Sequence, residues 1–306
     1  MSDFWELFAS AKTSNGKNML KIDVDVVFTP VELAYLAAEA SQRSEAQDLL
    51  GWLKRRNQQA GGSLLIRPRN FKKTKLAETI DLFSNNRKDP TKKLLIAFVG
   101  AGGMFMMPKP LFLQQFRPSL WDIVFVHPRP AEFENSYDLS KMKPKRQKHY
   151  YDVGSYSRTA KEFADQISSL VDRREYDKLI CTGASAGGGI AMHVSQHLEA
   201  DLGIGIGARV EDDEVITLPS TKAKNLVAIY SELFIEDETE ARILRHRLGA
   251  TPVSIPGIKR HNPFKKAIRA SKLDSIFPDI FDPDKDIHQT IQQYAAVMGV
   301  DDEDDT

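Results

Sequence analysis

Cysteine is nearly missing from this chain: Cys181 is the only one among 306 residues. A single thiol excludes an internal disulfide and a cysteine-built metal cluster, and it fits a reducing compartment. Excess charge is missing as well. Lysine plus arginine and aspartate plus glutamate each number 42, so no global field draws the chain to nucleic acid or to an anionic membrane. No stretch approaches the ~18 uninterrupted apolar residues of a membrane-spanning helix. The start, Met1 to Phe8, has neither the basic residues nor the apolar run of a secretory signal. A phosphate-binding glycine-lysine-serine/threonine loop is absent too. These absences lead us to expect a soluble cytoplasmic protein with no metal, no cofactor, no nucleic-acid partner and no membrane partner; they leave its oligomeric state open.

What is there is a regular alternation of apolar runs with helical patterns. Leu94–Val99, Trp121–Val126, Tyr176–Thr182, Leu202–Ile206, Asn225–Tyr230 and Pro252–Ile255 read as short continuous strands. Helical patterns follow at about Ser157–Asp172, after Gly188, at Glu238–Leu248 and at Asn262–Leu273. Continuous apolar strands separated by helices indicate a mostly parallel central sheet covered on both faces, an α/β architecture. Upstream, Lys21–Phe28 alternates at period two and predicts a strand, and Ser63–Arg67 predicts another. Thr29-Pro30 resembles a cap and first turn for a helix over Val31–Arg56. Lys75–Phe83 predicts a short amphipathic helix. We expect residues 1–89 to add strands and helices to the same sheet or to cap it, residues 90–284 to form the core, and residues 285–306 to form a helix and an acidic tail ending Asp301–Asp305.

The chemistry concentrates at Gly183-Ala184-Ser185-Ala186-Gly187. Strand, G-x-S-x-G, then helix is the context of a nucleophile elbow, in which a serine is held on a sharp turn with its hydroxyl clear of the sheet. Ser185 is the candidate nucleophile; a capping serine at a glycine-rich helix start is the structural alternative. A serine hydroxyl needs a base, and the base needs an orienting acid. Of seven histidines, His261 alone lies on a loop between the last strand and the next helix. It is the candidate base. The acid belongs after the preceding strand, where Asp237 is our choice, with Glu232, Glu236 and Asp213 as substitutes. Asp237 also reads as a helix cap paired with Glu240. Oxyanion donors would be the backbone N–H of Ala186 and that of Ala101 or Gly102, in the glycine loop after Leu94–Val99.

Elbow, glycine loop, late histidine and strand–helix alternation together resemble the α/β-hydrolase superfamily across roughly residues 90–275. The resemblance implies an eight-stranded, mostly parallel sheet and a serine–acid–histidine triad. It departs from the usual pattern in carrying Val99 where many esterases have histidine, and in placing the acid close to the following helix. The expected activity is hydrolysis of a carboxylic ester or thioester through an acyl-enzyme on Ser185. An acyltransferase with the same triad, or a non-catalytic binding protein on the same fold, are the alternatives. The partner would be a small acyl substrate. The basic segment Lys141–Tyr151 would favour an anionic one if it forms a lid, although a solvated loop is the plainer reading. A dinucleotide site at Gly100–Phe105 with Asp122 is disfavoured. Phe105 stands where a third glycine belongs, and Pro108 and Pro110 obstruct a long helix.

Overall fold

The structure is a computed structural model and describes residues 2–11, 14–100, 104–127, 156–210, 223–269 and 273–298. Four helices lead: α1 (Ser2–Ser10), α2 (Ser14–Val27), α3 (Pro30–Ser41) and α4 (Gln47–Gln59). A hairpin of β1 (Lys72–Ala77) and β2 (Ile80–Ser84) follows, then β3 (Lys93–Phe98), α5 (Lys109–Gln114) and β4 (Trp121–Val126). The second half runs α6 (Tyr156–Leu170), β5 (Lys178–Ala184), α7 (Ala186–His197), β6 (Leu202–Ile206), β7 (Leu226–Ser231), α8 (Ile235–Leu248) and β8 (Thr251–Ile255). It closes with α9 (Lys265–Arg269), α10 (Leu273–Ile280) and α11 (Ile287–Met298).

The eight strands form one sheet in the order β1-β2-β4-β3-β5-β6-β7-β8. β1 and β2 pair antiparallel, as do β2 and β4, and every other pairing is parallel. Strands β3 to β6 are buried nearly throughout, as a parallel sheet covered on both faces requires. One face, carrying Leu95, Ala97, Ile123, Phe125, Ile204 and Ile229, packs under α5 and the N-terminal and C-terminal helices. The other, carrying Leu94, Ile96, Phe98 and Cys181, packs under α6 and α7, and α8 covers its β7 end. No helix among the described residues is long and apolar enough to cross a membrane.

The central strands fall where the periodicity puts them; the first ninety residues do not. Lys21–Val27 is the second half of helix α2 rather than a strand, and Phe28 lies just past its end. Its inward Asp25 is tolerated because Arg56 of α4 grips the carboxylate with two bonds of 3.0 and 2.6 Å. Ser63–Arg67 is a turn. The helix predicted over Val31–Arg56 is broken into α3 and α4, although Thr29 and Glu32 do form a capping box at its start. Lys75–Phe83, predicted helical, is the β1–β2 hairpin. Of the helix read over Asn262–Leu273, α9 forms Lys265–Arg269, residues 270–272 lie outside the described residues, and α10 begins at Leu273.

Beside that hairpin lies a buried charged cluster. Lys109, 2% exposed, sits 5.5 Å from the centre of the Phe83 ring and 5.1 Å from that of Phe125. Asp81 faces it, with Lys73 Nζ at 3.1 Å and His127 Nε2 at 3.5 Å. Burial opposes ionisation of Asp81, but His127, Lys73 and Lys109 outweigh it and bring the carboxyl down to about 2. Burial pushes the Lys109 ammonium from its ordinary range down to about 7. A lysine depressed in the folded state lowers stability wherever the unfolded chain holds the proton more tightly. The penalty is complete at pH 7 and below, and disappears as pH rises toward 10. Lys109→Met is therefore expected to exceed wild type in urea-unfolding stability at pH 7, by up to ~4 kcal/mol. The advantage should shrink steadily between pH 7 and pH 10; a constant difference across that range would contradict the assignment.

Candidate active site

All the parallel strands point their carboxyl ends to one edge of the sheet, and the candidate residues collect there. β5 ends at Ala184, and Ser185 turns the chain directly into α7. The turn holds Ser185 at φ +55° and ψ −123°, a conformation that an L residue adopts only when its surroundings impose it. They do so through three backbone bonds. The Ser185 N–H donates to Ile206 O at 2.9 Å, while the Ser185 carbonyl accepts from Gly188 N at 2.9 Å and Arg209 N at 3.0 Å. The flanking glycines are needed for close approach. A Cβ on Gly183 would lie 2.0 Å from Gly187 O, and one on Gly187 would lie 2.4 Å from Phe98 O. The Ser185 side chain makes no capping bond to the helix it precedes, so the capping alternative is not what the turn serves.

Asp237 and His261 approach from the next two crossings. Asp237 is the third residue of α8; its carboxylate has no exposed surface, and its Oδ1 lies 2.7 Å from His261 Nδ1. The expected cap pairing of Asp237 with Glu240 is not formed, because α8 starts three residues earlier than expected, with Phe234 as its N-cap. Glu240 instead accepts the Val210 N–H at 2.8 Å. Of the substitutes, Glu232 accepts the Gly257 N–H at 2.8 Å, Glu236 is exposed, and Asp213 lies outside the described residues. The loop carrying His261 is fastened to the start of the acid's crossing: Ser231 Oγ donates to Arg260 O at 2.6 Å. With Nδ1 facing a carboxylate, the imidazole carries its proton there and presents Nε2 as acceptor. That Nε2 is buried and, among the described residues, without a hydrogen-bond partner.

Gly207, just past β6, brings elbow and dyad together. It has φ +49°, and a Cβ there would meet His261 Cε1 at 3.0 Å and Asp237 Oδ2 at 3.2 Å. The neighbouring Ile206 carbonyl holds the Ser185 N–H. Gly100 stands on the other side, where a Cβ would lie 3.6 Å from the Ser185 Cβ. Ala186 opens α7, so its N–H has no acceptor within the helix and stands at the positive end of the helix dipole. Ala101 and Gly102, the other expected donors, lie outside the described residues, as does the basic segment 141–151.

Sequence reading passed over Arg209. Its guanidinium lies 3.9 Å from Asp237 Oδ1 and 3.9 Å from Glu240 Oε1, one third exposed. The signal available was position: Arg209 stands three residues past a central strand, on the edge where Ser185 stands. Asp122, weighed for a ribose contact, sits at the opposite edge, paired with buried Lys92 at 2.8 Å. Phe105 and Phe112 are core residues, and His127 faces Asp81 rather than the site. Among the described residues no three His, Cys, Asp or Glu side chains come together as a metal site. A groove of about 490 Å³ opens away from this edge, against Leu94, Val171, His197 and Asp201. The Asp201 carboxylate is already taken by Lys224, Arg173 and the Leu179 N–H.

A mostly parallel eight-stranded sheet, with its serine on a strained strand-to-helix turn and its acid and histidine after the last two strands, decides the architecture. The chain has the α/β-hydrolase fold. No protein-family model matches the sequence, and no curated protein matches it either. Solved structures similar to it include a hyperthermophilic esterase from Pyrobaculum calidifontis, at 14% identity over 88% of this chain and 96% of that one, with a TM-score of 0.40. An α/β serine hydrolase without a lid from Xanthomonas campestris shares 15% identity over 74% and 96%, with a TM-score of 0.40. An acylaminoacyl peptidase from Pyrococcus horikoshii shares 14% over 75% of this chain and 45% of that one, with a TM-score of 0.45. The α/β-hydrolase assignment rests on the strand order and elbow of this chain itself.

The strain at Ser185 is testable apart from any activity. Glycine accepts a positive φ at little cost, whereas alanine keeps the serine's strain. Ser185→Gly is expected to be more stable than Ser185→Ala by ~1 kcal/mol in thermal or urea unfolding. Equal stabilities would show that the turn stores no strain.

Proposed function

We propose that the protein is a serine hydrolase that cleaves a carboxylic ester or thioester through an acyl-enzyme on Ser185. The observation that carries this reading is the dyad. A fully buried carboxylate holds His261 through Nδ1 and leaves Nε2 buried and without a partner, on the same sheet edge as a serine in a strained elbow.

The steps follow from those positions. Ser185 Oγ attacks the acyl carbon as His261 Nε2 takes the hydroxyl proton. The imidazolium that forms keeps its Nδ1–H on Asp237 Oδ1, where the negative charge stabilises it. The carbonyl oxygen becomes an oxyanion that the Ala186 N–H and the helix terminus stabilise. Collapse breaks the bond to the alcohol or thiol, which leaves with the proton from Nε2. Water then attacks the acyl-Ser185 ester with His261 again as base. The acid departs and the serine regains its proton. Arg209, beside the acid, places a positive charge 3.9 Å from Asp237 Oδ1 without displacing His261 from it.

Labelling with a fluorescent fluorophosphonate tests the reading directly. Wild type is expected to label, Ser185→Ala not at all, and His261→Ala far more slowly. Asp237→Asn should keep the fold and lower ester turnover by about 10³–10⁴-fold, because the amide holds the imidazole in the wrong tautomer. Absence of labelling in folded wild-type protein, or equal labelling of Ser185→Ala, overturns the proposal.

A further inference from the structure

The turn between β7 and α8 exposes apolar surface where a hydrolase would meet its substrate. Leu233 is 50% exposed and Ile235 is 76% exposed. The residue between them, Phe234, packs its half-buried ring 5.9 Å from the His261 imidazole, tilted by 45°. The other large exposed apolar side chains among the described residues, such as Tyr35, Ile66 and Leu120, have no exposed apolar partner within two positions. Scattered singly, exposed apolar residues need no explanation; a continuous Leu-Phe-Ile run against a candidate base does.

The run is not a loose loop. The Glu232 N–H donates to Ile255 O at 3.1 Å and the Leu233 N–H to Ile258 O at 2.9 Å. Gly257 N donates to Glu232 Oε2 at 2.8 Å. These bonds fasten the turn to the segment that carries His261, so Phe234 keeps a fixed place beside the imidazole, with Leu233 and Ile235 exposed on either side of it in the chain. Phe234, as the N-cap residue, then leads straight into the helix that carries Asp237. A rigid apolar ledge at the mouth of a site is what a binding wall for a hydrocarbon group requires.

We propose that Leu233, Phe234 and Ile235 form the wall that receives the hydrocarbon chain of an aliphatic acyl substrate, and so determine its length. The proposal rests on the hydrolase reading above and gives it a substrate class: esters of medium-length fatty acids, in preference to acetyl or to anionic acyl groups. Each methylene taken out of water against such a wall raises kcat/KM about fourfold when fully buried.

The test uses the full chain with p-nitrophenyl acetate, succinate, hexanoate and octanoate. Wild type is expected to favour hexanoate over acetate by tenfold or more in kcat/KM, and to turn over the anionic hemisuccinate no better than acetate. In Leu233→Ser/Ile235→Ser the hexanoate-to-acetate ratio should fall at least tenfold, chiefly through KM. Leu233→Met/Ile235→Val should retain the wild-type ratio. Both positions are exposed, so melting temperatures should stay near that of wild type. An unchanged ratio in the serine pair, or a wild type that prefers acetate or hemisuccinate, overturns the wall while fluorophosphonate labelling leaves the hydrolase reading standing. A wild type that neither labels nor cleaves any ester overturns both.

Discussion

Asp237 sets the terms for the rest of the site. A carboxylate with no exposed surface is costly to bury unless a cation or a hydrogen-bond donor meets it. Here Oδ1 has the His261 ring nitrogen at 2.7 Å and the Arg209 guanidinium at 3.9 Å, while Oδ2 has no hydrogen-bond partner. Among the described residues the ring nitrogen is therefore the carboxylate's one close donor. That requirement orients the imidazole, and with it the direction in which Nε2 points. It also explains why β7 and β8 are tied together beyond their ladder, since a drifting histidine loop would strand the buried charge. Glu232, Ser231 and Leu233 supply those ties.

The elbow is held by a different means, the crowding of backbone. Gly183, Gly187 and the end of β3 approach so closely that no side chain fits between them. The carbonyl of Ser185 is shared by the first turn of α7 and by Arg209 N. Strain at one residue is maintained because three elements would have to move together to release it. Arg209 belongs to both arrangements. Its main chain fixes the Ser185 turn, and its side chain faces Asp237, so the end of β6 links two parts of the candidate site that lie 52 residues apart in sequence.

Legibility in the sequence followed the same division. The continuous apolar strands from Leu94 to Ile255 were readable because a parallel sheet covered on both faces demands them, and the positions of Ser185, Asp237 and His261 at one edge of the sheet were readable from their places after those strands. The N-terminal third was not. Leu76, Ile80 and Phe83 stand at i, i+4 and i+7, a helical spacing, yet the chain turns at Glu78–Thr79 and they belong to a hairpin. The outer strand β1 carries Lys72, Lys73 and Lys75 because a sheet edge is best kept charged, and those lysines look like the polar face of a helix. In α2 the Asp-Val alternation imitates a strand, since the partner that lets Asp25 turn inward, Arg56, is thirty-one residues away. Local pattern failed wherever a distant charge or a tight turn decided the outcome. Arg209 and the exposed run at Leu233–Ile235 went unread for a related reason: each matters through what it stands beside.

The charges around the dyad bear on how the proposed chemistry would proceed. Arg209, Asp237 and Glu240 carry one positive and two negative charges within 3.9 Å contacts, and a neutral His261 leaves the group with one negative charge in excess. Accepting the serine proton turns the imidazole into a cation and brings the group to balance. Charge created during the attack is thus met by groups already in place, which need not reorganise when it appears. Arg209 tempers the arrangement. Without it the excess would be two, and the same proton transfer would leave one negative charge unmet. With one carboxylate offset by the guanidinium, the proposed transfer of a proton from Ser185 to His261 is what brings the group to neutrality, so the arrangement matches the transfer and not the resting state.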